Sequence, residues 1–269
     1  VYGQMGKRIQ ALKFYKKALE IRNQLDDKFR LAGDNSRIGI ILRKMGEFEQ
    51  SKTYHEKALE IHAELNDKVG LAGDYRSLGT VLRYLGRYNE ALEYYEKALE
   101  IRQYLNDKVR LAGDHRAIGI VLGNLCDNKK ALVHLEKALD IHLELDDKVG
   151  LANDYGNMAI VFGQMGDYEK ALANYEKAIT LHNELDDKVG LADDYRGKGI
   201  ILQNMGKMEN ALELYEQAII LHREMNDRVG IARVYANLGI LFRRKEEYQK
   251  ALEFYKKAIE IHKTRNDQN

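Results

Sequence analysis

One spacing governs this chain. Ala18, Ala58, Ala98, Ala138, Ala178, Ala218 and Ala258 stand 40 residues apart, and Asp27, Asp67, Asp107, Asp147, Asp187, Asp227 and Asp267 keep the same interval. A period this strict, with no insertion, means that one structural unit is copied along a line, which settles the architecture ahead of any local reading. Each unit of such an array packs only on its neighbours, so the length of 269 residues does not count globular cores. Stacked repeats make long surfaces for holding other molecules and rarely make catalytic pockets.

The segment 67–105 represents the unit. Asp67 is placed to cap a helix by accepting from the free N–H groups of its first turn. Leu71, Tyr75, Leu78, Leu82 and Leu85 then fall on one face of that helix, here called A. Gly79 leaves room for a close helix approach, and Gly86 ends helix A in the left-handed conformation that glycine adopts at low cost. Tyr88, Ala91, Leu92, Tyr95, Ala98, Leu99 and Arg102 mark a second helix, B, and all but Arg102 suit burial. The apolar stripe is too wide for one hairpin to cover, so stacking must complete the core.

Gly79, Gly86, Tyr88, Ala91, Tyr95 and Ala98 carry a pattern that resembles the tetratricopeptide repeat signature. Tyr75 takes the slot where that family often has Trp, and Leu82 its next large slot. The usual repeat has 34 residues; at 40, and without the family's proline, the chain is most similar to the class seen in LGN/Pins-type scaffolds. The resemblance implies an all-α chain forming a right-handed α-solenoid, a superhelix of antiparallel helix pairs, with helix A lining a concave groove and helix B the convex back. It implies one solenoid over 1–269: a partial first repeat at 1–26 supplying a helix B, then full repeats at about 27–66, 67–106, 107–146, 147–186, 187–226 and 227–266.

Val1–Met5 matches the end of a helix A, with Gly6 in the glycine slot, so a helix B is expected at about residues 7–25. Asn266 and Asp267 would cap a further helix A, and both ends would present a helix B lacking one neighbour. The chain reads as a piece of a longer array. The 106–145 repeat is degenerate: Cys126 fills the glycine slot, Asn128 and Leu135 the aromatic slots, and His115 replaces the Tyr. A softer joint and neutral drift are both consistent with that.

Charge is balanced, with Lys+Arg 43 against Asp+Glu 42, so nothing in the total favours nucleic acid or an anionic membrane. A groove aromatic ladder is missing as well, which argues against single-stranded nucleic acid. Proline and tryptophan are absent. No stretch approaches the ~20 apolar residues that cross a bilayer. A lone cysteine, Cys126, excludes an intrachain disulfide and fits a reducing, cytoplasmic setting.

Locally the charge clusters. The groove slots of helix A offer Arg37, Arg43 and Lys44 first, then Arg76 and Arg83, then Arg116. The middle is small and polar with Asn124, Asn153, Gly156, Asn157, Gly163 and Gln164, and the end is basic again through Arg196, Arg233, Arg243 and Arg244. Guanidinium forks favour carboxylates and phosphates. The expected partner is therefore a protein or peptide, with an acidic or phosphorylated segment as the specific version. The bland alternative is that these arginines pair with Asp34, Asp74, Asp114, Asp154 and Asp194 nearby. In the LGN/Pins class, groove Arg and Asn residues of helix A hold an extended partner, and only Arg233 with Asn237 matches both slots here. An isoleucine stripe, Ile40, Ile120, Ile160, Ile200 and Ile240, is expected mainly to pack between neighbouring A helices. Self-association through uncovered terminal helices is the competing reading.

Catalytic, cofactor and metal sites are not expected. His62, His142, His182, His222 and His262 share a slot that also holds Arg22 and Arg102, and a slot that accepts Arg does not suit a metal ligand. Those histidines are expected at the surface or half-buried. Phosphate loops, nucleophile elbows and zincin motifs are missing.

Overall fold

The computed structural model describes residues 2–266, so Val1 and Asp267, both part of the sequence pattern, lie outside the described residues. The chain is all-helical, in consecutive packed pairs, and it divides into two compact units, Val1–Ile141 and His142–Asn269. The first holds α1 (Tyr2–Gln24), α2 (Lys28–Met45), α3 (Phe48–Glu64), α4 (Lys68–Tyr84), α5 (Tyr88–Tyr104) and α6 (Lys108–Asn124). The division falls inside α7 (Asn128–Glu144), within the degenerate 106–145 repeat. The second holds α8 (Lys148–Gln164), α9 (Tyr168–Glu184), α10 (Lys188–Asn204), α11 (Met208–Glu224), α12 (Arg228–Arg244) and α13 (Tyr248–Asn266). No helix among the described residues is long and apolar enough to cross a membrane.

The turns follow the sequence chemistry. Asp27, Asp67, Asp107, Asp147, Asp187 and Asp227 each accept a backbone N–H from the first turn of an A helix. The B-to-A turns place Asp26, Asn66, Asn106, Asp146, Asp186 and Asn226 at φ between 50° and 55°, a region that Asn and Asp tolerate better than other side chains. The A-to-B turns use Gly46, Gly86, Gly166 and Gly206 at positive φ, with Cys126 (φ 61) and Glu246 (φ 62) forced into the same conformation.

Gly6 departs from expectation. α1 runs unbroken from Tyr2 to Gln24, so residues 2–5 are not the end of a separate helix A. A C-cap glycine permits a turn without compelling one. Among the described residues no upstream helix holds such a turn, and continuing the helical hydrogen bonds through glycine costs only about 1 kcal/mol relative to alanine.

Pairing is of one kind within each unit. In the first unit α2 packs on α3 and α4 on α5; in the second α8 packs on α9, α10 on α11 and α12 on α13. Within the units B helices also pack on the next A helix: α1 on α2, α3 on α4 and α5 on α6 in the first, α9 on α10 and α11 on α12 in the second. Successive A helices touch as well: α2, α4 and α6 in one unit, α8, α10 and α12 in the other. The hairpin contact is a ring against a glycine: a Cβ on Gly199 would lie 2.6 Å from Tyr215 Cε1, and one on Gly79 3.0 Å from the Tyr95 ring. Tyr95, Tyr215, Leu78 and Leu82 are almost fully buried, each worth about 1.5–3 kcal/mol in apolar transfer, or somewhat less for the hydroxyl-bearing rings.

Candidate functional site

Within each unit the A helices share an exposed face. Arg37 and Lys44 on α2 are exposed and Arg43 is half-buried. Arg76 and Arg83 on α4 and Arg116 on α6 are half-buried, as are Asn157 on α8 and Arg196 on α10. On α12, Arg233, Arg243 and Arg244 are exposed and Asn237 half-buried. The isoleucine stripe is only partly packing, contrary to expectation. Ile160 is 49% and Ile40 36% exposed, while Ile120, Ile200 and Ile240 are half-buried. Their slot lies between the small and polar positions of the face, where neighbouring A helices touch too sparingly to cover it.

Several of these cations are already engaged. Arg76 Nη1 donates to Asp114 Oδ1 at 2.6 Å, Arg37 reaches Asp34 at 3.4 Å, and Arg196 reaches Asp193 at 3.2 Å. Arg83 lies over the Tyr84 ring. Arg244 donates to the carbonyl of Gln203 and to Asn204 Oδ1, both at 3.1 Å. Asn157 Nδ2 turns back to the Asn153 carbonyl. The side chains of Arg43, Lys44, Arg233 and Arg243 form no ion pair.

Beneath this face runs a set of buried ion pairs. The aspartates that the sequence placed beside the groove point inward: Asp34, Asp74, Asp114, Asp154 and Asp194 are all at most 6% exposed. Each meets the residue twelve positions earlier, near the end of the preceding B helix. Arg22 pairs with Asp34 and Arg102 with Asp114; the His Nδ1 to carboxylate distances are 2.7 Å for His62–Asp74, 2.5 Å for His142–Asp154 and 2.7 Å for His182–Asp194. This corrects the expectation of surface or half-buried histidines. His62, His142, His182 and His222 are buried, as is Arg102, and only His262 is exposed. A cationic side chain can be withdrawn from water here because a carboxylate waits for it.

The sequence carried a signal for this arrangement. Histidine in the slot goes with glycine eight residues later: Gly70, Gly150, Gly190 and Gly230, where a Cβ would lie within 2.2–2.4 Å of the ring. Arginine goes with Arg30 or Arg110 in that place, because the longer side chain reaches its carboxylate without lying flat on the backbone.

Burial competes with hydrogen bonding at these carboxylates, and at Asp114 burial wins even against two guanidinium donors. Burial pushes the Asp74 carboxyl up, but hydrogen bonds from His55, His62 and Ser36 outweigh it and hold Asp74 below the usual carboxylate range. Asp194 has His182 alone, and burial wins, raising it. His62 and His182 are raised, chiefly by the hydrogen bond to their aspartates. In the degenerate repeat His115 and His134 face each other, Nδ1 to Nδ1 at 3.1 Å. Burial first, then the neighbouring His134 and Lys137 charges, push His115 down to about 4. Burial lowers His134 as well.

The sixth pair breaks the rule. Position 234 is valine, fully buried, and His222 has no hydrogen-bond partner for either ring nitrogen. Its Nδ1 lies 3.1 Å from Asp227 but off hydrogen-bonding geometry. The buried Nε of Arg196 and Nδ2 of Asn237 also lack acceptors. Burial pushes the Tyr215 phenol up, and the Arg196 and Arg244 charges pull against it. No group of three or more His, Cys, Asp or Glu among the described residues is arranged to hold a metal ion.

The family model for the tetratricopeptide repeat matches residues 29–103, 111–184 and 194–264, and a second tetratricopeptide repeat model matches residues 1–25. No match was found among the curated proteins. Among solved structures, the apo form of RapI superposes with a TM-score of 0.82 at 21% identity, over 97% of this chain and 93% of that one. Aspartyl phosphate phosphatase F from Bacillus subtilis gives 0.78 at 17% identity, over 97% and 68%. The Rap conjugation gene regulator of plasmid pLS20, in complex with the Phr* peptide, gives 0.70 at 16% identity, over 88% and 75%. At these identities the likeness is one of fold.

Proposed function

The chain belongs to the tetratricopeptide repeat family, and from that premise we propose that it is a non-enzymatic interaction module holding a peptide or helical segment of a partner protein on its A-helix face. The observation that carries this reading is the make-up of the face. Half-exposed isoleucines lie between arginines and small residues on A helices that touch one another within each unit. An apolar stripe flanked by charge suits an amphipathic segment. The structural neighbour from plasmid pLS20 was solved with a peptide, which is consistent with this use of the fold.

A catalytic reading gains less support. Perturbed titratable groups often mark active sites, but here the buried aspartates are joined to cations of neighbouring helices and link successive repeats. The phosphatase among the structural neighbours shares the fold, and a fold alone carries no chemistry.

The test is capture with the whole chain as bait. Glutamate at Ile40 and at Ile160, each on the A-helix face of its own unit, should abolish capture of the partner, whereas Ile220→Glu on the exposed side of α11 should leave it intact. Equal effects from both would remove the A face from consideration.

A second reading, self-association, is favoured by exposed apolar residues on the outer helices: Ile9, Phe14 and Ile21 on α1, and Tyr248, Leu252 and Ile259 on α13. Light scattering during size exclusion decides it; a monomer across the concentration range sinks it.

A further inference from the structure

Five repeats carry their own carboxylate at the junction between pairs, and the sixth does not. Asp114 is the nearest template. It receives Arg76 from the preceding A helix at 2.6 Å and Arg102 from the preceding B helix. The equivalents of those two cations around Val234 are Arg196 and His222. Valine has nearly the shape of aspartate, so the packing survives while one negative charge is lost.

The consequence is local. Arg196 falls back on Asp193 of its own helix, an i,i+3 pair with side chains 26% and 45% exposed, and leaves its buried Nε without an acceptor. A partly exposed pair of this kind is weak and readily exchanged for a better acceptor. Arg233 and Arg243 on α12 have no carboxylate partner, and Arg244 is held only by neutral oxygens of α10. Asn237 directs no hydrogen bond from its buried Nδ2. On α2 and α4, by contrast, Arg37 and Arg76 are matched to buried aspartates.

We infer that the α10–α12 stretch anchors a carboxylate-rich segment of the partner protein, with Arg196, Arg233 and Arg244 as its charge contacts and Asn237 as a neutral donor. This rests on the reading of the A helices as the interaction face, and it narrows that reading to one end and one ligand chemistry. The missing internal aspartate is what the ligand's carboxylates replace. Guanidinium forks grip carboxylates bidentately, which supplies direction as well as charge.

The experiment uses the whole chain and a short labelled peptide rich in glutamate, with its glutamine counterpart as the neutral control, at about 0.15 M salt so that long-range attraction is screened. The glutamate peptide should bind, and the glutamine peptide about tenfold more weakly or not at all. Val234→Asp, which restores the internal carboxylate, should weaken binding about tenfold, as should Arg233→Ala; Arg87→Ala, in the α4–α5 turn of the other unit and off the A-helix face, should change nothing. Arg233 is exposed and unpaired, so its variant keeps the question open to decision even if Val234→Asp fails to fold. Equal binding of the two peptides, wild-type binding by Arg233→Ala, or an equal loss with Arg87→Ala overturns the inference. Any of these, with partner capture still sensitive to Ile40 and Ile160, leaves the interaction face standing and removes only the acidic anchor. Loss of that sensitivity removes both.

Discussion

His62 donates from Nδ1 to Asp74 at 2.7 Å, joining the end of α3 to the middle of α4 with both side chains withdrawn from solvent. The same twelve-residue relationship recurs at Asp34, Asp114, Asp154 and Asp194, so five junctions between helix pairs contain a basic side chain and a carboxylate that need each other, and only the one at Val234 lacks the carboxylate. Stacking is thereby given a register as well as an apolar surface.

Removing one side of such a junction should be costly. Asp74 accepts from His55, His62 and Ser36. Asp74→Ala leaves the buried His55 and His62 without their carboxylate and should lower unfolding stability by about 3–5 kcal/mol. Asp193→Ala, on the exposed surface, should stay within about 0.5 kcal/mol. Urea unfolding of the two variants beside the parent checks the contrast.

The His62–Asp74 pair gives stability a pH window. His62 is raised above its ordinary 6.5, so its contribution is complete below pH 6.5 and is lost as pH climbs through the raised folded value. Asp74 is held below its ordinary 3.8, so its contribution is present above 3.8 and is lost as pH falls through the lowered folded value. The pair therefore helps most between those two ordinary values. Arg already fills this slot at positions 22 and 102, and His62→Arg should remove the alkaline part of the loss. Melting temperatures from pH 6 to 9 would show a flatter curve for the variant; parallel curves would contradict the assignment.

The His115–His134 pair works in the opposite direction. His115 is depressed to about 4, so below its ordinary 6.5 the unfolded chain takes up a proton that the folded chain refuses. Stability should fall as pH drops from 6.5 towards 4. His115→Tyr, which restores the residue found at Tyr75, Tyr155, Tyr195 and Tyr235, should abolish that share of the acid sensitivity. Thermal melts at pH 7 and pH 4.5 decide it.

Two glycines of A helices, one in each unit, should respond with opposite signs. A Cβ on Gly199 would meet the Tyr215 ring at 2.6 Å, whereas one on Gly73 would meet nothing within 4 Å. Gly199→Ala should destabilise by about 1–3 kcal/mol through overpacking. Gly73→Ala should stabilise by about 0.5–1 kcal/mol because alanine is the better helix former. A matched pair of chemical denaturation curves reads both.

From α2 onward the 40-residue beat was enough to assign the helices and their caps, because those depend on local hydrogen bonding and on which face is apolar; at Gly6 it was not, since α1 runs on through that glycine. Asp67 at an N-cap and Gly86 at a left-handed turn are decided within a few residues of themselves. The candidate face was legible too, as a set of slots on the A helices. What those slots do with their charge was not. Arg76 could be drawn pointing at a ligand or at Asp114 with equal ease from the string of letters, and His62 could be drawn at the surface. Only the packing of one repeat on the next decided that Arg76 is matched and His62 buried, while Val234 leaves Arg196 short of a carboxylate. The reason is physical: whether a charge is available to a partner depends on which opposite charge the fold brings within a few ångströms of it, and that neighbour stands tens of residues away along the chain.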